Sequence, residues 1–126
     1  MANVNSVCPI ANEDTNALPV RSLESAIAFY DDVLGFSTVR RDASSAVLAR
    51  DHVQIGIVLR EGHDPARAGS IAFAVDDLEA MRYEIEGSGG SPGELGFDEW
   101  GGKRYRTFFL HEMENGYCFC FYCAVP

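Results

Sequence analysis

Several short stretches of the chain alternate between apolar residues and polar or small ones, which is the period of a β-strand. In 52–60, Val53 and Ile55 project to one side while Gln54 and Gly56 project to the other. We expect the larger apolar set to face a helical layer and the smaller, more polar set to line a concave face. Strands are predicted over 13–20, 36–42, 45–50, 52–60, 69–75, 94–99, 103–112 and 117–124.

Two other stretches repeat apolar residues every three or four positions, as the buried face of an α-helix does. The first helix is predicted to begin after the capping residue Ser22 and to end at Gly35. The second is predicted to begin at Asp76 and Asp77 and to end in the glycine-rich run 87–90. The apolar positions are Leu23, Ala26, Ile27, Tyr30, Val33 and Leu34 in the first helix and Leu78, Met81, Tyr83 and Ile85 in the second.

The chain also repeats itself. The stretch 20–26, Val-Arg-Ser-Leu-Glu-Ser-Ala, has a counterpart in 75–81, Val-Asp-Asp-Leu-Glu-Ala-Met, and the same offset of 75 − 20 = 55 carries Gly35 onto Gly90. Two copies of one small unit must pack together to bury their apolar faces. The pattern predicts a single α+β domain over 1–126 that consists of two tandem βαβββ modules. The modules cover about 13–60 and 69–124, and 61–68 forms a polar linker in which we expect His63 to be solvated.

Composition restricts the classes of partner. At 126 residues, 47% of them hydrophobic, the chain can bury a core without a disulfide or a structural metal. Its formal net charge of −9 opposes broad contact with a phosphate backbone, so nucleic acid is not an expected partner. No apolar run reaches the length of about 20 residues that a membrane span needs, and the first 14 residues lack the pattern of a signal peptide. We expect a cytoplasmic protein with no membrane partner.

Three of the four cysteines lie close together. On a strand, Cys118 and Cys120 share one face and Cys123 takes the other, while Cys8 lies far away in sequence. Such a cluster could hold a soft metal, but it lacks the paired halves of a zinc ribbon. Free thiols in a reducing compartment are the favoured interpretation.

The residues around both helix starts resemble a known family. The stretches 18–24, 28–30 and 33–36 carry Leu-Pro-Val-Arg-Ser-Leu-Glu, Ala-Phe-Tyr and Val-Leu-Gly-Phe, and 71–78 carries Ile-Ala-Phe-Ala-Val-Asp-Asp-Leu. With Glu-Asn-Gly-Tyr at 114–117, they resemble the glyoxalase, bleomycin-resistance and extradiol dioxygenase superfamily, also called vicinal oxygen chelate proteins. The resemblance covers about 13 to 124. It implies curved mixed sheets around a cavity.

In enzymes of that family, the resemblance implies, a divalent metal is held by His, Gln or Glu on the first and fourth strands of each module. The equivalent positions here are Thr15, Gln54 or Gly56, Ser70 and Cys120, and at most one of them is a usual ligand type. The other two histidines, His52 and His111, are not at these positions and are expected to be partly exposed strand residues. We therefore expect no metal, no other cofactor and no catalytic residue. The pattern is closest to that of metal-free members related to bleomycin-resistance proteins.

Alternation on the last strand sends Cys118, Cys120 and Tyr122 to the concave side and Phe119 and Phe121 towards the helices. Tyr122 would offer a ring and a hydroxyl group to a ligand there, or it is a core tyrosine.

The segment around Trp100 forms an aromatic and acidic border. Trp100 is the best candidate for stacking on a planar molecule, or it fills a gap in the core or at an interface. Asp98 and Glu99 would hold a cation. Arg104 and Arg106 would hold an anion if their strand register turns them inward, and they lie on a solvated edge otherwise. The candidate ligand-binding residues are Trp100, Tyr122, Cys120, Gln54, Arg104, Arg106, Asp98 and Glu99.

The leading hypothesis is a metal-free protein that binds and sequesters a small aromatic or cationic molecule. Homodimerisation is expected from the resemblance and from the number of phenylalanines, Phe108, Phe109, Phe119 and Phe121, on the last strands. The first alternative is a metal-dependent lyase, isomerase or dioxygenase of the same fold with non-standard ligands, or an enzyme that uses Cys120 as a nucleophile or acid. The second is an interaction domain with a filled cavity.

Overall fold

The computed structural model describes residues 2–10 and 14–125. The strands are β1 (Val4–Pro9), β2 (Leu18–Val20), β3 (Ser37–Arg41), β4 (Ser45–Arg50), β5 (Val53–Leu59), β6 (Ser70–Val75), β7 (Gly96–Trp100), β8 (Lys103–His111) and β9 (Cys118–Ala124). The helices are α1 (Leu23–Asp32) and α2 (Leu78–Gly87), and a 3-10 turn covers Pro65–Arg67. In the described part of the chain, neither helix has the length and apolar character needed to cross a bilayer.

Both modules fold in the same way. The first sheet has the order β2-β5-β4-β3, and the second has β6-β9-β8-β7 with β1 added beside β6. In each module the first and fourth strands are parallel and the remaining pairs are antiparallel. This confirms the α+β fold of two βαβββ modules.

The helix starts are specified locally, as predicted. Ser22 and Asp77 are the N-caps, and their side-chain oxygens accept hydrogen bonds from the backbone N–H of Ser25 (3.4 Å) and Ala80 (3.0 Å). Both helices have 10 residues, and their first residues are 78 − 23 = 55 positions apart. The repeat seen in the sequence is therefore a repeat of structure.

The N-terminal strand is a difference from the prediction. The stretch 4–9 was not predicted to be a strand, but β1 pairs antiparallel with β6, with Cys8 opposite Ala72. Polar residues interrupt its alternation, and the strand forms because the outer edge of β6 offers unpaired backbone groups.

The predicted strand 13–20 is also shorter than expected. Only 18–20 is a strand, and residue 13 lies outside the described residues. Asp14 forms a turn instead: its carbonyl accepts from Ala17 N (3.0 Å) and its carboxylate from Asn16 N (2.9 Å).

One core joins the modules. From α1 and the start of β3, Tyr30 and Phe36 pack against Phe119 and Phe73 of the second sheet, with ring centroids 5.8–5.9 Å apart. The helix-facing side of the first sheet contributes Leu48 to the same core. The other face of each sheet therefore points away from this core.

The turn between β8 and β9 ties the second module to the first. Asn115 accepts a hydrogen bond from Arg21 N through its side-chain oxygen (2.9 Å), and Tyr117 OH donates to Pro19 O (2.8 Å). The His63 ring stacks on Tyr117, and its Nε2 lies 2.9 Å from the carbonyl oxygen of Asn115. The expectation that His63 is solvated was therefore wrong, because the linker is folded against this turn.

Candidate functional site

The outward face of the second sheet forms a cleft of about 490 Å³. It lies on the side that the alternation of β9 predicts: Phe119 and Phe121 are buried in the core, while Cys120 and Tyr122 line the cleft. Among the described residues, the cleft is lined by Cys8, Ile10, Ala72, Asp98, Glu99, Trp100, Phe109, Cys120 and Tyr122. All of these belong to the second sheet except Ile10, which follows β1.

The structure brings together five of the eight candidate ligand-binding residues: Trp100, Tyr122, Cys120, Asp98 and Glu99. The sequence reasoning missed Cys8 and Ile10, because β1 had not been recognised. It also did not assign Phe109, which alternation on β8 turns outward while Phe108 enters the core. Phe108 and Phe109 are consecutive on β8, so one of them had to face the core and the other the opposite side. The sequence did not show which one faces the core.

Aromatic rings form one wall of the cleft. The rings of Trp100 and Tyr105 are stacked, with centroids 3.9 Å apart and an interplanar angle of 7°. Tyr122 lies nearly perpendicular to both rings, at 5.5 Å from Trp100 and 5.6 Å from Tyr105. Trp100 is thus held in one orientation, and 42% of its surface remains exposed. A fixed, partly exposed indole ring is suited to stacking on a flat molecule.

The charged groups of the cleft are acidic. Asp98 shares the cleft face of β7 with Trp100, and its carboxylate accepts a hydrogen bond from Thr107 Oγ1 (3.0 Å). Glu99 is the next residue on β7, and because successive side chains alternate, it lines the cleft only at its rim. No Lys, Arg or His belongs to the nine lining residues. The cleft therefore favours a cation over an anion.

Three candidate residues lie elsewhere. Arg106 contacts Glu79 of α2 (2.7 Å), and the guanidinium of Arg104 lies 4.3 Å from the ring centre of Phe97. Both arginines therefore sit on the helix-facing side of β8, which leaves no paired guanidinium site in the cleft. Gln54 is exposed on β5 of the first sheet and does not line the cleft.

The positions equivalent to the family's metal ligands do not fit a divalent metal centre. Gly56 N donates to Thr15 O (2.9 Å), and a Cβ atom at Gly56 would lie 2.1 Å from the carbonyl oxygen of Asn16, so the chain itself covers this position. Ser70 and Cys120 belong to the other sheet. Across residues 2–10 and 14–125, no three His, Cys, Asp or Glu side chains come close enough together to hold a metal ion.

Cys120 is not prepared for nucleophilic chemistry. Burial, together with smaller effects of the neighbouring Asp98, Cys118 and Cys8, raises the pKa of its thiol to about 11. At neutral pH the group is a protonated thiol, whereas a nucleophilic cysteine needs a thiolate. The enzyme alternative that used Cys120 as a nucleophile gains no support from this environment.

Comparisons with known proteins agree with this fold. Residues 13–115 match the family model of the Glyoxalase/Bleomycin resistance protein/Dioxygenase superfamily. The comparison with curated proteins finds no significant match.

Three similar solved structures are proteins named for bleomycin. The bleomycin resistance determinant encoded on transposon Tn5 is 24% identical, with a TM-score of 0.76 over 90% of this chain and 98% of that chain. A bleomycin-binding protein complexed with bleomycin is also 24% identical, with a TM-score of 0.73 and the same coverage. The bleomycin-binding protein from bleomycin-producing Streptomyces verticillus, complexed with copper(II)-bleomycin, is 22% identical, with a TM-score of 0.63 over 84% of this chain and 90% of that chain. At these identities the similarity establishes the fold.

Proposed function

We propose that this chain, which belongs to the Glyoxalase/Bleomycin resistance protein/Dioxygenase superfamily, binds a flat organic cation and holds it chemically unchanged. The observation that carries the proposal is the combination of Trp100, fixed by Tyr105 and Tyr122, with the carboxylate of Asp98 in a cleft where none of the described lining residues is basic. A stacked cation gains from the aromatic face as well as from the carboxylate. Two of the similar structures contain bleomycin or its copper complex, which makes bleomycin the first probe to use.

Binding without a divalent metal is part of the proposal. The support is the chemistry at the four inherited positions, where hydroxyl groups at Thr15 and Ser70, a covered Gly56 and a protonated Cys120 replace imidazole and carboxylate. In the metalloenzymes of the family the metal would supply Lewis-acid chemistry. These residues provide no comparable group, so we propose sequestration rather than catalysis.

We further propose that a second copy of the chain closes the cleft. The cleft is open to solvent on one side, and its apolar lining residues Ile10 and Phe109 remain 54% and 41% exposed. A twofold homodimer would cover them and enclose the ligand between subunits. Light scattering at micromolar concentration should give twice the mass of the 13.8 kDa chain, and a monomeric mass would contradict this part of the proposal.

A cytoplasmic location fits the four free thiols, because a reducing compartment keeps cysteines unpaired. The excess of acidic residues supports a small cation as partner and opposes contact with nucleic acid or an anionic membrane surface.

Removing one charge from the cleft tests the electrostatic part. In calorimetric titrations with metal-free bleomycin, Asp98→Asn should weaken binding by about twofold to fivefold, since a partly exposed ion pair contributes up to about 1 kcal/mol. Glu61→Gln removes the same charge from the exposed linker and serves as the control. Equal affinity of the Asp98→Asn variant and the parent would show that the carboxylate does not recognise the ligand.

A further inference from the structure

The cleft face of the second sheet carries three of the four cysteines. Cys118 and Cys120 are two residues apart on β9 and share one face, opposite Ser70 and Ala72 of β6. Cys8 of β1 is opposite Ala72 from the other side, so it occupies the same row as Cys120 but one strand further away. Cys123 lies on the other face of β9, with Sγ 3.6 Å from the carbonyl oxygen of Ala124. All four thiols are free.

Strand geometry places Cys118 and Cys120 close together and keeps Cys8 and Cys123 apart from them. Residues two apart on a strand have Cα atoms about 6.6 Å apart with parallel side chains, whereas residues separated by one intervening strand are about 9.6 Å apart. A disulfide needs Cβ atoms within about 4.5 Å. Parallel side chains do not bring Cys118 and Cys120 that close, and Cys8 is further still from Cys120. The pair is therefore too wide for a disulfide.

The same spacing suits an ion held between two sulfur atoms. If each metal–sulfur bond is about 2.3 Å, as for zinc thiolates, a linear arrangement spans about 4.6 Å, and each Sγ atom needs to lean towards the other by about 1 Å. The neighbouring residues leave room for this, because Ala72 is small and the Ser70 side chain, which hydrogen-bonds to Cys118, is short.

The donor set selects the kind of ion. Within the described chain, no three His, Cys, Asp or Glu side chains come together, so the four-coordinate geometry that zinc prefers is not provided. Two thiolates match a soft monovalent cation, of which Cu(I) is the biologically common example, whereas the neighbouring carboxylate of Asp98 is a hard ligand that suits other ions.

We propose that Cys118 and Cys120 form a two-coordinate thiolate site for monovalent copper on the outward face of β9, where Cys120 lines the cleft. Binding forms two copper–sulfur bonds, releases one proton from each thiol and leaves the oxidation state of copper unchanged. Because each thiol gives up its proton when it binds copper, affinity should rise with pH.

The site adjoins the one proposed for an organic cation but uses different groups. It uses thiols on β9, whereas the organic cation is recognised by the ring of Trp100 and the carboxylate of Asp98. Trp100→Ala should therefore leave the Cu(I) affinity within about threefold of the parent value. A failure of either proposal can be recognised without reference to the other.

The chain offers matched controls for the test. Fully reduced protein is titrated under anaerobic conditions with Cu(I) supplied as its bicinchoninate complex, and the colour lost by the chelator reports transfer to the protein. We expect one copper per chain. Cys118→Ser and Cys120→Ser should each lower the affinity at least about 100-fold, because one thiolate cannot complete a linear site. Cys8→Ser and Cys123→Ser should remain within about threefold of the parent protein, since one residue is too distant and the other faces the opposite way.

Far-ultraviolet circular dichroism shows which variants are folded, and Cys118→Ala and Cys120→Ala provide a second substitution at each position. The proposal is overturned if the parent protein takes no copper from the chelator. It is also overturned if folded Cys118 or Cys120 variants keep the parent affinity, or if Cys8→Ser loses as much affinity as Cys120→Ser.

Discussion

Replacement of Trp100 by alanine removes the largest exposed ring of the cleft. The indole keeps 42% of its surface exposed, which for a side chain of up to about 250 Å² leaves about 105 Å² for a ligand to cover. At about 25 cal/mol per Å² this area contributes about 2.6 kcal/mol to binding. Ordering of the ligand offsets part of this gain, so we expect Trp100→Ala to weaken binding by about 1–3 kcal/mol, or about fivefold to 150-fold in Kd.

Isothermal titration calorimetry with metal-free bleomycin measures this change, since the variant has lost the only tryptophan as a fluorescent reporter. Tyr83→Ala is the matched control, because Tyr83 is an exposed aromatic residue of α2 that borders a different groove. Urea unfolding establishes that both variants are folded. If folded Trp100→Ala binds as tightly as the parent protein, the stack of Trp100 on Tyr105 supports the structure and does not form part of a binding site.

Three further predictions test the surroundings of the site. Tyr30 OH is buried with no hydrogen-bond partner among the described residues, so Tyr30→Phe should raise the free energy of unfolding by about 1 kcal/mol. Tyr117→Phe, which loses the bond to Pro19 O, should lower it by about the same amount. A stability loss in Tyr30→Phe would contradict the first. Gly116 has φ +83° and a Cβ there would lie 2.0 Å from Pro65 O, so Gly116→Ala should lower the free energy of unfolding by about 3 kcal/mol or more in a denaturant titration. Gly101 is unobstructed, so Gly101→Ala should lower it by only about 1 kcal/mol. Equal losses in the two variants would refute the clash at Gly116. Iodoacetamide should modify Cys120 slowly at pH 7.5 and faster towards pH 11, because the raised pKa keeps its thiol protonated. Peptide mass spectrometry measures the labelling, and rapid labelling at pH 7.5 would show a thiolate instead.

The elements of this fold could be predicted because their signals are local. Ser22 and Asp77 cap their helices through hydrogen bonds to residues three positions later, and the sequence therefore contains all the information needed. Seven strands lie within two residues of the predicted bounds for the same reason, since alternation on a half-buried sheet is a local pattern. The repeat at an offset of 55 then showed where each of the two modules lies in the sequence.

The features that were missed depend on contacts between distant parts of the chain. Strand β1 forms because β6 has an open edge 60 to 70 residues away, and its own residues show little alternation. Arg106 is turned towards α2 by an ion pair with Glu79, a contact that no local pattern reveals. His63 is fixed by Tyr117 and Asn115 across 52 residues or more. The aromatic wall was foreseen through Trp100, but its partner Tyr105 could be recognised only when the register of β7 and β8 was known.

The most direct test of metal-free binding is a single titration. Protein treated with a chelator and verified by elemental analysis to contain no zinc, nickel, iron or manganese is titrated with metal-free bleomycin in a calorimeter. We predict saturable binding of bleomycin, with an affinity that falls as salt is added and that does not change when a divalent metal is restored. Binding that is absent from the chelated protein and returns with one equivalent of a divalent metal per chain would contradict the account.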